Sequence, residues 1–274
     1  MGQPGLPSHL RHSSLGSGHN WGNMRVSVQL YTLRDQLASD LRGTLKAIRN
    51  LGIEYVEMAG FYDQTASTWA AYLQEAGVAS LESGLKASGA HIGLDLLEAD
   101  LDQVIQDVKT LDFKYVIVPY IGADAYADGW ASFGQRLRPI GEKLAAAGLT
   151  LLYHNHDFEF ADGDGLGELY GSVPDEFLKA EIDAAWVSIG GQDPVQYVTN
   201  LKGRVPLVHV KDYNPANTPR WTPCGQGVMP MPELVAAAEA AGAEFVVIEL
   251  DESPGDPIAA VAASYEYLKS LGLS

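Results

Sequence analysis

Short runs of apolar and β-branched residues alternate with longer amphipathic runs from Met24 to the end of the chain. A strand repeats its side-chain pattern every two residues and a helix every 3.6, so the short runs predict strands and the longer runs predict helices. Glycine follows several of the longer runs, as at Leu51-Gly52 and Ala147-Gly148. Glycine at such a position is a common helix terminator.

The predicted strands cover residues 25–31, 53–58, 90–94, 114–119, the start of 148–159, 180–184, 206–210 and 244–250. The predicted helices cover residues 41–50, 67–76, 98–111, 130–147, 194–201, 233–241 and 257–271, with a short helix within 161–175. Residues 81–88 are assigned to the helical layer, and residues 214–231 to a long irregular loop.

Eight strands that alternate with helical runs over roughly 250 residues predict an α/β fold of the (β/α)8 TIM barrel type. The alternative is a doubly wound open sheet, which normally carries a glycine-rich phosphate turn after its first strand. Residues 31–35 read Tyr-Thr-Leu-Arg-Asp at that position, so the barrel is favoured. We expect one barrel domain over residues 24–274 and a disordered tail over residues 1–23, with Met24 as an alternative start.

The stretch 148–159 changes abruptly from apolar to polar. Its beginning predicts a buried strand, and its end, with two histidines, an Asn, an Asp and a Glu, predicts a site at the carboxyl end of that strand. Because side chains alternate along a strand, His154 and His156 are expected on the same face. The two imidazoles are therefore expected at the same site.

Polar residues also mark the carboxyl ends of the other predicted strands, where the active sites of barrels gather. The full set is Gln29, Glu57, His91, His154, His156, Glu181, Asp183, His209, Lys211, Glu249 and Asp251. It contains every histidine of the predicted barrel domain. A single histidine at a strand end is usually structural, but four of them with carboxylates from different strands indicate a site.

Imidazole and carboxylate together suit one divalent ion, with Mn²⁺, Zn²⁺, Co²⁺ or Fe²⁺ favoured over Mg²⁺, which prefers an all-oxygen set. The predicted ligands, one from each of the last four strands, are His154, Asp183, His209 and Glu249. Taken alone, Asp183 and Glu249 are equally compatible with capping a helix or pairing with Lys211.

Composition narrows the possible partners. The 274-residue chain is 46% hydrophobic, and its 35 acidic and 18 basic residues give a formal charge of −17, which disfavours nucleic acid and fits a small polar ligand. No apolar run predicts a membrane span. The single cysteine, Cys224, excludes an intrachain disulfide. We expect a cytoplasmic protein, and the sequence leaves a homo-oligomer open.

Six spaced motifs carry a family resemblance: Tyr-His-Asn-His-Asp-Phe-Glu-Phe at 153–160, Glu-Ile-Asp-Ala-Ala-Trp at 181–186, Gly-Gly-Gln-Asp-Pro at 190–194, His-Val-Lys-Asp at 209–212, Cys-Gly-Gln-Gly at 224–227 and Ile-Glu-Leu-Asp at 248–251. In these motifs the chain resembles the sugar phosphate isomerase/epimerase superfamily. These are the xylose isomerase-like TIM barrels, which also include inosose dehydratases and ketose epimerases. The resemblance extends from about Met24 to the C-terminus.

This resemblance implies a single divalent metal held at the ends of strands five to eight. Asp183, His209 and Glu249 match that pattern, whereas His154 stands where many members have a glutamate that is both ligand and base. The replacement argues against a symmetrical two-glutamate epimerisation. Gln226 likewise stands where similar proteins often have glutamate.

The expected chemistry is removal of a proton next to a carbonyl that the metal polarises as a Lewis acid. Glu57, His156 and Glu249 are the candidate bases, and Lys211 is expected to stabilise the enediolate. The predicted substrate-binding residues are Gln29, His91 and Trp186. The enediolate then reprotonates, as in an isomerase or epimerase, or expels a β-substituent, as in a lyase or dehydratase.

No cluster of Lys or Arg marks a phosphate site in the predicted loops, so an unphosphorylated sugar, keto-sugar or cyclitol is favoured as substrate. The missing strand-five glutamate leaves a second class open, a barrel that binds sugar without turnover. A nuclease like the related endonuclease-four barrels conflicts with the charge of −17 and with the sparse ligand set.

Overall fold

The computed structural model of the chain describes residues 22–77, 84–253 and 255–274. Its strands are β1 Arg25–Gln29, β2 Tyr55–Ala59, β3 Lys86–His91, β4 Tyr115–Val118, β5 Thr150–His154, β6 Lys179–Asp183, β7 Leu207–His209, β8 Asp212–Tyr213, β9 Trp221–Thr222 and β10 Phe245–Ile248. Eight of them close a parallel barrel in the order β1-β10-β7-β6-β5-β4-β3-β2, and β8 and β9 form a separate antiparallel pair. The predicted (β/α)8 barrel is confirmed.

The helices are α1 Arg34–Ser39, α2 Leu41–Asn50, α3 Ala66–Glu75, α4 Leu94–Ala99, α5 Leu101–Leu111, α6 Trp130–Ala146, α7 Gly165–Ser172, α8 Ala184–Ile189, α9 Pro194–Asn200, α10 Met231–Ala241 and α11 Pro257–Ser270. Aspartate side chains begin several of them by accepting a backbone N–H bond in the first turn, as Asp40 does for α2 and Asp256 for α11. Across the ranges that the structure covers, no helix combines the length and apolar character needed to cross a bilayer.

The interior of the barrel changes from apolar to polar along the strands. A small apolar cluster fills one part of it, formed by Tyr55, Tyr115, Ile117, Leu152, Leu207, Phe245 and Val247. Leu152 and Leu207 each lie two residues before a histidine, His154 and His209, so each pair faces the same side of its strand. The apolar layer therefore supports a polar layer at the carboxyl ends of the strands.

The third strand begins earlier than its predicted position at residues 90–94, and its first residues come from the run assigned to the helical layer. Gly89 accounts for the weak strand signal. A Cβ at this position would lie 2.8 Å from Ile117 Cδ1 and 3.1 Å from the Tyr115 carbonyl oxygen, so the close approach of β4 requires glycine.

The helical prediction differs from the structure in three further places. Helix α1 was not predicted. The predicted helix 98–111 is divided at Asp100, which ends α4 and accepts the first-turn N–H of α5. Helix α8 was not predicted, and it follows β6 directly because Asp183 caps its first turn. Residues 1–21 of the predicted tail and residues 81–83 lie outside the described residues.

Gly141 provides a test of how tightly the helical layer packs. It lies inside α6, where a Cβ would collide with the backbone carbonyl of Phe177. Gly141→Ala should lower the free energy of unfolding by about 1–3 kcal/mol in urea denaturation, because the backbone must shift. Gly171→Ala on α7 is the matched control: among the described residues a Cβ there meets no atom within 4 Å beyond its chain neighbours and its own helix backbone, so helix propensity should raise the free energy of unfolding by up to about 1 kcal/mol. Equal stabilisation of both variants would contradict the contact.

Candidate metal centre

Strand register brings the predicted site residues to one level of the barrel. His154 on β5 is paired with Glu181 on β6, and Asp183 on β6 is paired with His209 on β7. All four residues lie at or near the carboxyl ends of their strands. This is the end of a barrel at which loops and strand ends build active sites.

The four predicted ligands meet in what we call the outer cluster, formed by His154, Asp183, His209 and Glu249. One candidate ligand atom of each lies within 4.8 Å of the others, and all four side chains are buried. His209 Nδ1 is 2.8 Å from Glu249 Oε2, and His154 Nε2 is 3.8 Å from Asp183 Oδ2. Two imidazole nitrogens and two carboxylates form a donor set that fits Zn²⁺, Mn²⁺, Co²⁺ or Fe²⁺.

Lys211 lies beside the outer cluster and is 1% exposed. Its Nζ is 3.0 Å from Asp183 Oδ2, 3.0 Å from Glu249 Oε2 and 2.8 Å from Asp251 Oδ1. Burial disfavours the charged amine, but the fields of Asp183 and Glu249 outweigh it and raise the pKa of Lys211. Lys211 is therefore a fixed positive charge that holds two of the candidate ligand carboxylates.

A second group, which we call the inner cluster, shares two histidines with the outer one. It consists of His91, His154, Glu181 and His209, together with Glu57. Three ring nitrogens approach Glu181 Oε2: His91 Nε2 at 2.8 Å, His154 Nδ1 at 3.0 Å and His209 Nε2 at 3.3 Å. Glu57 Oε1 is 3.1 Å from His91 Nε2 and 2.8 Å from His209 Nε2.

The buried carboxylates and histidines of the two clusters lie close together and shift one another's pKa values in different directions. Burial raises the pKa of Glu57, but the fields of His209 and His91 outweigh it and bring the pKa well below its usual range. Burial lowers the pKa of His91, and the carboxylates of Glu181 and Glu57 reverse this and raise it to about 9. His154 has its pKa lowered by burial and by His209 and His91, so it stays neutral and is available as a ligand.

A cavity of about 690 Å³ opens at this end of the barrel. Five predicted site residues line it: His91, His154, His156, Trp186 and Glu249. Residues without an assigned role line it too: Tyr31, Tyr120, Trp221, Asp251 and Glu252. A cavity of about 750 Å³ around the amino ends of the strands is lined by none of the four histidines in the described residues.

Gln29 and Glu57, predicted from the sequence to bind substrate and to transfer a proton, do not line this cavity. Both side chains are 0% exposed. Gln29 Nε2 donates a hydrogen bond of 2.6 Å to Glu57 Oε1, the oxygen that also contacts His209. The structure therefore places both residues behind the histidines.

His156 stands in the cavity wall among aromatic rings. Its ring centroid is 5.6 Å from that of Trp186 and 5.5 Å from that of Tyr120. Burial, followed by the field of Lys211, lowers the pKa of His156 to about 4, so the ring is neutral at pH 7. Its Nδ1 has no hydrogen-bond partner within the described part of the chain. A neutral imidazole with an unpartnered nitrogen can accept a proton.

Glu159 holds His156 and was not singled out from the sequence as a site residue. Its Oε2 accepts the backbone N–H of His156 at 2.9 Å, and its Oε1 accepts the hydroxyl of Tyr153 at 2.7 Å. Burial raises the pKa of Glu159 to about 7, although these hydrogen bonds act in the opposite direction. Glu159 thus fixes the backbone immediately after β5.

Asp212 orders the segment that carries Trp221. Its carboxylate accepts hydrogen bonds from three backbone N–H groups of this segment, those of Gly225, Gly227 and Met229. Trp221 packs edge-on against Trp186 with ring centroids 5.0 Å apart, and Lys211 Nζ lies 4.9 Å from the Trp221 ring centroid. The predicted irregular loop, residues 214–231, therefore forms an ordered wall of the cavity.

The sequence predicted no role for Glu181, Tyr120 and Trp221, and only the first could have been placed from its position in a strand. Glu181 lies two residues before Asp183, and strand alternation places both on one face, so its position was accessible from the sequence. Tyr120 and Trp221 lie outside the barrel strands, where no periodicity indicates direction. Their place in the wall depends on the tertiary fold.

The chain is thus a closed parallel TIM barrel in which histidines and carboxylates suited to a divalent metal gather under a cavity at the carboxyl ends of the strands. The chain belongs to the xylose isomerase-like TIM barrel family, whose sequence model matches residues 45–271. The resemblance inferred from the motifs is confirmed at this level. No curated protein matches the sequence significantly.

Solved structures share the fold at low sequence identity. A sugar phosphate isomerase/epimerase from Parabacteroides distasonis is 19% identical, with a TM-score of 0.76 over 91% of this chain and 94% of that chain. The probable 3-DHS dehydratase AsbF from Bacillus anthracis is 18% identical, with a TM-score of 0.71 over 90% and 99%. The IOLI protein, solved with a zinc atom, is 15% identical, with a TM-score of 0.67 over 90% and 98%.

Glu159 gives this centre a pH-dependent stability that can be measured. The pKa of Glu159 is about 7 in the fold against its ordinary value of 4.5, so the folded state binds the proton more tightly. The protonated carboxyl of Glu159 makes its full contribution to the free energy of unfolding below pH 4.5, and this contribution is lost as the pH rises towards 7. Glu159→Gln should therefore gain stability relative to the parent chain between pH 5 and pH 8, as measured by thermal unfolding. The exposed Glu168→Gln is the control, and parallel curves for Glu159→Gln and the parent would contradict the assignment.

Proposed function

We propose that this protein is a metal-dependent isomerase or epimerase that acts on an unphosphorylated sugar, keto-sugar or cyclitol. The observation that carries the proposal is the outer cluster beneath the cavity, where two histidines and two carboxylates meet beside neutral His156. A divalent ion held by His154, Asp183, His209 and Glu249 would supply Lewis acidity, which makes a C–H bond next to a carbonyl more acidic.

His156 is the best-supported proton acceptor. It lines the cavity, its pKa of about 4 keeps it neutral at pH 7, and its Nδ1 is unpartnered among the described residues. Glu249 is the second candidate, because it also lines the cavity. Its pKa is lowered, since Lys211 and His209 outweigh the effect of burial, so it is ionised but a weaker base.

The remaining predicted residues support binding and charge placement in this proposal. Lys211 orients Asp183 and Glu249 and contributes positive charge near a developing oxyanion. His91 and Trp186 offer a hydrogen-bond partner and a stacking surface at the cavity wall. We assign Glu57 and Gln29 to holding His209 from behind, because they do not reach the cavity.

The cavity lining supports an unphosphorylated substrate. Within the described residues, its charged side chains other than histidine are Glu249, Asp251 and Glu252, and no Lys or Arg contributes to the lining. A phosphate group would meet these carboxylates at the cavity surface, and Lys211, which does not line the cavity, is already paired with Glu249 and Asp251. Neutral hydroxyl and carbonyl groups are compatible with them as hydrogen-bond donors and acceptors.

A lyase or dehydratase acting on a keto-sugar or inosose is the alternative, because it begins with the same proton abstraction. The dehydratase named among the structures of similar fold motivates it. The two reactions differ after the common intermediate, which either reprotonates or expels a β-substituent. A sugar-binding barrel without turnover is the remaining alternative, motivated by His154 in place of glutamate.

Solvent proton exchange tests the common step. The purified protein, loaded with Mn²⁺ or Zn²⁺ and incubated with a panel of keto-sugars and inososes in heavy water, should incorporate deuterium at the α-carbon or form a product by loss of that hydrogen. Chelator should abolish both, since proton acidity depends on the ion. Nuclear magnetic resonance and mass spectrometry measure the exchange. Full activity in a metal-free preparation would exclude the mechanism, and metal-dependent binding without any exchange would favour the non-catalytic alternative.

Two adjacent histidines should respond differently to removal. His154→Ala deletes a ligand and should lower metal occupancy and activity together, while the fold survives. His156→Ala should retain the metal and lower turnover by roughly 100-fold or more, the usual contribution of a general base. Metal analysis and steady-state kinetics on both variants measure this. Metal lost from the His156 variant and retained by the His154 variant would reverse the assignment.

A further inference from the structure

Hydrogen bonding among its members does not explain the geometry of the inner cluster. His91 Nε2 faces two carboxylate oxygens, Glu181 Oε2 at 2.8 Å and Glu57 Oε1 at 3.1 Å, although one ring nitrogen carries at most one hydrogen. His154 and His209 also direct a ring nitrogen to the same oxygen of Glu181. The donor atoms therefore crowd together instead of forming separate pairs.

Each of the two inner carboxylates leaves one oxygen unsatisfied. Glu57 Oε2 and Glu181 Oε1 are buried and have no hydrogen-bond partner among the described residues, and both side chains are 0% exposed. Buried polar atoms in folded proteins are nearly always paired, so two such orphans in one cluster indicate a missing partner. Within the described ranges, the ion pairs of both carboxylates are made with histidines alone.

We infer that the inner cluster is a second divalent-cation site of this barrel. Its own ligands are His91 Nε2, Glu57 and Glu181, and the inward ring nitrogens of His154 and His209 complete the donor set. Imidazole nitrogens combined with carboxylates suit Zn²⁺, Co²⁺, Mn²⁺ or Fe²⁺ and not Mg²⁺. Of this set, only His91 and His154 line the cavity. An ion in the inner cluster would therefore lie deeper in the barrel than the cavity and hold the histidines in position.

The two clusters use opposite nitrogens of the shared rings. His209 Nδ1 and His154 Nε2 face the outer carboxylates, whereas His209 Nε2 and His154 Nδ1 face the inner ones. A neutral imidazole offers one lone pair, so each ring serves one ion at a time. The inner cluster has three ligands of its own, and Lys211 pairs with no carboxylate among them. It can therefore bind an ion without the outer carboxylates.

Location of the ion tests the inference directly. The full chain is crystallised with zinc chloride, and anomalous data are collected at the zinc absorption edge. The expected result is a peak about 2.0–2.2 Å from His91 Nε2 and from a Glu181 oxygen. A peak confined to the outer cluster, or no peak in either cluster, would overturn the inner site.

A matched pair of variants gives a second measurement in solution. Glu181→Gln keeps the shape of the side chain and should weaken zinc binding at the inner site by roughly 10–100-fold or more in competition with a chromogenic chelator. Glu252→Gln, on the cavity rim, should leave the affinity unchanged. If Glu181→Gln does not fold, His91→Ala at the cavity wall serves instead. Unchanged stoichiometry and affinity in the folded inner variant would contradict the site.

This inference stands apart from the reaction proposed above, because both measurements report where metal binds and not whether a sugar reacts. Zinc in the outer cluster alone, with active proton exchange, would remove the inner site and leave the function. Zinc in the inner cluster without proton exchange would support the site and remove the reaction.

Discussion

The burial of carboxylates inside the barrel is the constraint on which the rest of the centre depends. Glu57, Glu181 and Asp183 are 0% exposed, and each needs a compensating positive charge or hydrogen bond, since an isolated buried charge costs several kcal/mol. Histidines supply that compensation for the first two, and Lys211 for the third. Removal of one partner leaves the charge of the other uncompensated, so each of these side chains holds its partner in position.

The same constraint divides the histidines into different chemical types. His91 lies between two carboxylates and has a pKa raised to about 9, whereas His156 lies among aromatic rings with Lys211 nearby and has a pKa lowered to about 4. Identical side chains thus have their pKa values shifted in opposite directions within one site. Environments that push the pKa values of neighbouring groups apart are a common basis for acid and base roles.

Support for the cavity comes from segments outside the barrel strands. Asp212 gathers the backbone N–H groups of the segment that follows Trp221, and Glu159 secures the backbone of His156 just after β5. Neither carboxylate lines the cavity. Both act through the backbone, which keeps the walls in place while the strands hold the clusters.

The alternation of apolar and amphipathic runs determined the barrel by itself, because strand and helix periodicity are local properties of the chain. The same alternation indicated that His154, Asp183, His209 and Glu249 end neighbouring strands. It failed at Gly89, whose place in β3 depends on the approach of β4, and at Asp100, whose capping bond divides a continuous apolar pattern. Only the tertiary structure decided that Glu57 and Gln29 lie behind the histidines, that Lys211 pairs with Asp183 and Glu249, and that Glu181 joins three rings. Those contacts are made across the barrel between residues far apart in sequence, and no local pattern encodes them.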